Sequence, residues 1–187
     1  MPRVKGIKKE KQEKNIIQQS GILLYSIKKY YNRFPKSFEM IRKIVNNEID
    51  IKVALIEYFV TIYSKKHKSS CDRKDGLGQY FFYDEYKNQL KSYGKVYFDP
   101  FKRKNKFKFD FEEQYKKELV TTIAQLNFMK WCCKENVLKY IVENYKVIES
   151  EFVVYQKSKK IKKENKKTIV KDTKITSVEI EDVSLEV

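Results

Sequence analysis

The stretch QYFFYDEYKNQLKSYGKVYFDPFKRKNKFKFDF, residues 79–111, decides how this chain is classified. Its last residues alternate, with Phe107, Phe109 and Phe111 on one side and Lys106, Lys108 and Asp110 on the other. A period of two with one apolar side is the pattern of a half-buried strand with a charged outer face. Gly94 and Pro100 interrupt the stretch, and Val96–Phe98 is the expected partner strand across the DPFKRKN connection. The reading is a small, aromatic-rich antiparallel sheet or hairpin around residues 80–111.

On either side the period changes to helical. Pro35 followed by Ser37 predicts a helix entry with Ser37 as N-cap, and Phe38, Ile41, Ile44 and Val45 fall on one face. Asn46-Asn47 ends that helix. Asp50 is the expected cap of the next, whose stripe is Val53, Ile56, Phe59, Val60 and Tyr63. Residues 65–78 read as a polar loop with Asp75-Gly76 as its turn. Beyond the strand, Leu119, Ile123, Leu126 and Met129, with Phe128 and Trp131 beside them, predict a further helix. Asn136 predicts the start of another, with Leu138, Ile141, Val142, Tyr145 and Ile148 facing inward. In IIQQSGILLYSIKKYY, from Asn15 onward, helix and strand stay open. The fold class is therefore α+β, a mostly helical single domain over residues 15–156. Flexible charged segments flank it at 1–14 and 157–187.

With 187 residues, 41% apolar and 14% aromatic, the chain has material for one core. Lys and Arg number 41 against 25 Asp and Glu, a net +16, yet Arg stands only at positions 3, 33, 42, 73 and 103. Lysine is a mobile point charge, whereas arginine gives bidentate base readout, so the balance favours phosphate over base sequence. Residues 1–14 hold six basic and two acidic residues, and residues 157–171 hold eight Lys and one Glu. The end, DTKITSVEIEDVSLEV, is acidic and apolar, and reads as an added strand for a partner's sheet or as a segment that folds back or stays unstructured. Cys71, Cys132 and Cys133 are an odd set with two neighbours, which points to a reducing compartment. No apolar run approaches the roughly 20 residues that span a bilayer. The opening MPRVKGIKKEKQEK has no secretory apolar core, so an intracellular protein is expected.

ALIEYFVTIYSKK (54–66), YKNQLKSYGKVYFDPFKRKNKFKF (86–109) and TTIAQLNFMKWCCKENVLKYI (121–141) together resemble a functionally uncharacterised family of nucleocytoplasmic large DNA viruses. The shared segments are Phe59–Lys66, Phe98–Phe101 and Thr121–Phe128. Where the family often has Cys-Arg-Arg after Phe-Asp-Pro-Phe, this chain has Lys102-Arg103-Lys104, so charge is kept and no role for that Cys carries over. The resemblance implies a viral protein of the host cytoplasm or virus factory, with virion and nucleus open. It carries no known activity.

The candidate nucleic-acid contacts are Lys102, Arg103, Lys104, Lys106 and Lys108, interleaved with Phe101, Phe107 and Phe109 as phosphate and base contacts require. Alternation alone also predicts an ordinary strand, with these rings in the core and the lysines in water. Lys157, Lys159, Lys160, Lys162 and Lys163 form a second set, which reads as a nuclear-localisation-like patch, a nucleic-acid tail or a solvated linker. Tyr97, Phe98, Phe101 and Trp131 are the candidate partner-binding residues of an alternative, a structural or adaptor protein using an aromatic surface to contact other viral proteins.

Metal and catalytic readings are thin. His67 and Cys71 are well spaced, but Cys132 and Cys133 point about 100° apart on a helix, poor for joint ligation of zinc. His67 has no identifiable nucleophile, and Asp75–Gly78 is too short to cradle a phosphate. Glu85-x-Lys87 and Asp50-x-Lys52 resemble nuclease cores only as chance does among so many lysines. The expectation is a non-enzymatic protein without cofactor, metal or membrane. It associates with DNA or RNA through Lys-rich surfaces, without strong sequence specificity.

Overall fold

The computed structural model describes residues 20–111 and 117–182, in two compact units that divide after Asn144. The expected arm at 1–14 lies outside the described residues, as does the end of the acidic terminus at 183–187.

In the first unit, helix α1 covers residues 20–33, so Gly21 does not turn this segment into a strand. Leu23, Ile27 and Tyr31, four apart, make its buried stripe. Helix α2, Pro35–Val45, begins one turn earlier than Ser37 predicts. Pro35 takes the first position, where its missing N–H costs nothing, and Phe34 precedes it without a side-chain cap. Asn46 ends α2, and Asn47 follows at φ 60°. Asp50 caps nothing. Helix α3, Val53–Tyr58, starts after Lys52, whose ammonium instead donates to the Ile49 carbonyl at 2.7 Å.

α3 runs through a π-helical turn, Phe59–Tyr63, into a short α4, Ser64–His67. The turn brings Phe59, Val60 and Tyr63 inward together, while the Ser64 hydroxyl donates back to the Val60 carbonyl. The stretch expected as a polar loop is a hairpin. β1, Ser70–Asp72, pairs antiparallel with β2, Gln79–Phe81, and Asp75-Gly76 lies in the turn as predicted. The Asp75 carboxylate accepts from the Leu77 N–H, and Gly76 sits at φ 72°, a conformation natural to glycine.

The main departure from the sequence reading is α5, Phe82–Tyr97. Residues expected in a sheet are helical, with Phe82 and Tyr86 buried four apart. Strand propensity in aromatics expresses a fit to a half-buried surface, and here a helix supplies the same burial. Gly94, at φ 62° and ψ 170°, breaks the helix before Phe98. Val96–Phe98 therefore pairs with nothing in a sheet. β3, Phe107–Phe111, is the expected strand, but its partner is β4, Lys117–Thr121, with Phe109 opposite Leu119.

Leu119, read as helical, is consequently a buried strand residue. Helix α6, Ile123–Lys134, starts after it. The Thr122 hydroxyl caps it by accepting from the Gln125 N–H. α6 is buried on most sides through Ala124, Leu126, Asn127, Phe128, Met129, Trp131 and Cys132, as befits a central helix. Phe98, Phe128 and Trp131 pack around one another with centroids 5.4–5.9 Å apart. Tyr31 and Phe38 pack on Phe109 of β3, and the Tyr31 hydroxyl donates to the Leu126 carbonyl. Helix α7, Val137–Glu143, follows Asn136, which takes φ 59° without a side-chain cap bond. Leu138, Ile141 and Ile148 are buried, Tyr145 is half-buried and Val142 is exposed.

The second unit is helix α8, Tyr145–Asp182. The Lys-rich stretch expected as a tail from Lys157 is helical as its continuation. No Gly or Pro stands between Tyr145 and Asp182, and Lys and Glu are good helix formers. The class is α+β and mostly helical, with two two-stranded antiparallel sheets among the described residues.

Candidate functional site

The residues singled out by local charge density form a turn and the outer face of a strand. Lys102 is half-buried, while Arg103, Lys104, Lys106 and Lys108 are exposed. Lys108 is ion-paired across the sheet with Glu118 at 2.9 Å. Of the interleaved rings, Phe109 is core, Phe107 is half-buried and Phe101 is 48% exposed. Charge is on display here, but the rings meant to stack with bases are largely spent on packing. Lys157, Lys159, Lys160 and Lys162 are exposed along α8, in the other unit.

The proposed partner-binding set divides. Phe98 is 1% and Trp131 5% exposed, so neither offers a surface; burial among aromatic neighbours claims both. The Trp131 indole N–H also donates to the Tyr80 hydroxyl at 2.9 Å. Tyr97 lines an open apolar groove with Ile22, Tyr93 and Val96, and Phe101 stands apart on its turn. His67 stacks on Tyr63 at 4.3 Å, Cys132 is fully buried, and Cys71 is half-buried in β1. Among the described residues no three His, Cys, Asp or Glu converge as a metal site would require.

A different basic site emerges from residues far apart in the sequence. Ser26, Lys29, Tyr30 and Arg33 share one face of α1, at the i, i+3, i+4, i+7 spacing. Phe34 and Ser37 extend it into the start of α2, Lys74 enters from the β1–β2 turn, and Lys130, Cys133 and Lys134 project from α6. Together they line a cleft of about 610 Å³ with five cationic side chains and, among the described residues, no carboxylate on its wall. The Lys74 ammonium donates to the Lys134 carbonyl at the last residue of α6, the end of the helix that favours a cation. Lys134 is also paired with Glu135, outside the lining, at 2.9 Å.

Positive charge prevails in the electrostatics of the cleft. Lys130 donates to the Ser26 hydroxyl at 2.8 Å; burial, then the neighbouring Lys134, lowers its pKa. An anion placed between these ammonium groups relieves both effects. Burial pushes the Cys133 thiol up to about 12, against a smaller opposing effect of a hydrogen bond with Ser37, so it is a neutral thiol. Burial likewise raises the Tyr30 hydroxyl, with Ser37 again opposing. The wall thus combines fixed positive charge, neutral hydroxyls and two aromatic rings. Sequence inspection missed it because its cations are spread from Lys29 to Lys134. The one local signal is SIKKYYNRF, residues 26–34, with its polar and basic residues on the face opposite Leu23, Ile27 and Tyr31.

The model of a family of unknown function, DUF7197, matches residues 3–185. This chain belongs to that family. It is also similar to an uncharacterized protein of Acanthamoeba polyphaga mimivirus, 34% identical over 143 residues, which are 74% of this chain and 55% of the relative. The chain thus spans about half the length of that relative. No solved structure matches. The resemblance to an uncharacterised family of large DNA viruses therefore holds.

In this DUF7197 chain the shared segments Phe59–Lys66, Phe98–Phe101 and Thr121–Phe128 lie mostly in the core. The Gln125 amide donates to the Pro100 carbonyl at 2.9 Å and accepts from the Thr121 hydroxyl at 2.8 Å. Asn127 donates to the Tyr97 carbonyl at 3.1 Å. The Thr-Thr-x-x-Gln-Leu-Asn-Phe segment therefore holds the Phe-Asp-Pro-Phe turn, while Phe-Val-Thr-x-Tyr-Ser-Lys-Lys supplies the π-helical turn. These residues build the fold, and the cleft lies beside them.

Proposed function

We propose that this protein associates with nucleic acid without catalysing a reaction on it, holding the phosphate backbone through Lys-rich surfaces of the folded unit. The observation that carries this reading is the convergence of Lys29, Arg33, Lys74, Lys130 and Lys134 on one cleft, with no acidic residue lining it among the described residues. Lysines scattered over a surface raise solubility. Here the cations surround a concavity, with Lys130 half-buried and the other four exposed, so an anion in the cleft offsets the desolvation of Lys130 and is attracted by its neighbours. The polymer is favoured over a small anion by the further exposed lysines at 102–108 and along α8, which add attraction at a distance. Backbone contact by lysine discriminates poorly among sequences, so binding is to DNA or RNA without strong sequence preference.

A salt titration of the full chain tests this. Log affinity for an oligonucleotide should fall linearly with log salt. Replacing Lys29 and Lys130 by Gln should lower the slope by about 0.7–0.9 for each phosphate contact removed. Absence of binding at low salt, or a slope unmoved by that pair, overturns the reading.

A further inference from the structure

Resting on that reading, we infer that the cleft between α1, α6 and the β1–β2 turn takes single-stranded nucleic acid, with one base stacked at Phe34 and the flanking phosphates on Lys29, Lys130 and Lys134. The decisive feature is an apolar ring where electrostatics alone would want none. Phe34 is 44% exposed at the junction of α1 and α2, on the wall of a cleft otherwise built from charge and hydroxyls. It does not stand alone. Its ring centroid lies 5.0 Å from that of Tyr30, tilted by 44°, and the Arg33 guanidinium is 5.5 Å from its centre.

An aromatic platform with cations around it is the arrangement that binds unpaired bases, because every base has a π-face and each is followed by a phosphate. In a duplex the base faces are already stacked on one another and only base edges and backbone are presented, so Phe34 and Tyr30 would have no face to receive. The dimensions agree. A cleft of about 610 Å³ lies within the range of roughly 300–1,000 Å³ that suits a ligand of nucleotide size. Ser26 and the Tyr30 hydroxyl add neutral hydrogen-bonding groups, which adapt to different base edges without selecting one. The lysines at 102–108 also adjoin one open ring, Phe101, 48% exposed, but it stands on a turn, whereas Phe34 stands on a cleft wall with Tyr30 and Arg33 against it. Those lysines attract either form.

The test is fluorescence anisotropy with the full chain at low salt. Its probes are a labelled single-stranded oligothymidylate of about 16 nucleotides and its duplex with oligodeoxyadenylate. The single strand should bind more tightly. Phe34→Ala and Phe34→Leu should each weaken it roughly tenfold while leaving duplex binding unchanged, and Phe34→Trp should restore it. Phe34→Leu keeps an apolar side chain at the helix junction, so its loss of binding separates stacking from a folding defect. Equal affinity for the two probes, or Phe34 variants that bind the single strand as the parent does or weaken both probes alike, overturns the single-strand inference and leaves general nucleic-acid association standing. Failure of both probes to bind overturns both.

Discussion

The chain carries two basic regions of the same folded unit, and they are built in opposite ways. The one at Lys102–Lys108 is written consecutively and sits on a turn and an outer strand face, with Lys108 engaged by Glu118. The other is assembled from α1, the β1–β2 turn and α6, and surrounds a concavity with five cations. Consecutive charge is an electrostatic fact about a segment. The assembled region adds a concavity, a half-buried ammonium at Lys130 and aromatic rings on the same wall. The aromatic residues differ in setting: near 102–108 Phe109 is core, Phe107 half-buried and Phe101 open on a turn, whereas Phe34 is open on the wall of a cleft with Tyr30 packed beside it.

That contrast is most severely tested by removing the buried rings that adjoin the first region. Phe98→Ala should destabilise the protein by about 3–5 kcal/mol in urea unfolding. It should leave the salt slope of oligonucleotide binding unchanged under conditions where the variant is folded. A loss below about 1 kcal/mol would mean that Phe98 is not core and would return it to the surface set.

Lys130 offers a smaller effect with a defined sign. Its pKa in the folded chain lies below the ordinary 10.5, so across the interval between the two values the unfolded chain holds more protons. Stability therefore rises with pH through that interval, and the burden of the charged form is fully present below it. Lys130→Met should remove this rise and stabilise the protein near neutrality while weakening binding. Thermal melts of the two proteins over alkaline pH would show it, and identical pH profiles would place Lys130 in open solvent.

The smallest effect belongs to the exposed cross-strand pair. Glu118→Gln should change stability by no more than about 0.5 kcal/mol, an amount that fades with added salt. A larger cost would make the 102–108 face a structured charge network instead of a solvated one.

How much of this was legible in the chain depends on the range over which the signal acts. The alternation of Phe107 and Phe109 with Lys106 and Lys108 is local, and β3 forms where it says. Its partner is not local in that sense, because Val96–Phe98 and Lys117–Thr121 both have strand-like composition and only packing chooses between them. Aromatic-rich residues 82–93 are helical for the same reason: burial at Phe82 and Tyr86 is satisfied equally by a period of four. Pro35 displaced Ser37 as the start of α2 because a missing N–H outweighs a possible cap. The lysine density of 102–108 was visible and the cleft was not. Its five cations span more than a hundred positions, and nothing in a linear reading brings Arg33 to Lys130.

The grip of Gln125 and Asn127 on the carbonyls of Pro100 and Tyr97 has a consequence for exchanging parts between relatives. A turn grafted without its helix, or a helix without its turn, leaves a carbonyl or an amide with no mate at a cost of about 1–3 kcal/mol each. Chimeras across the family should accept the pair 97–101 and 121–128 from one parent and reject a mixed pair. In the currency of recombination, two motifs some twenty residues apart are inherited as one.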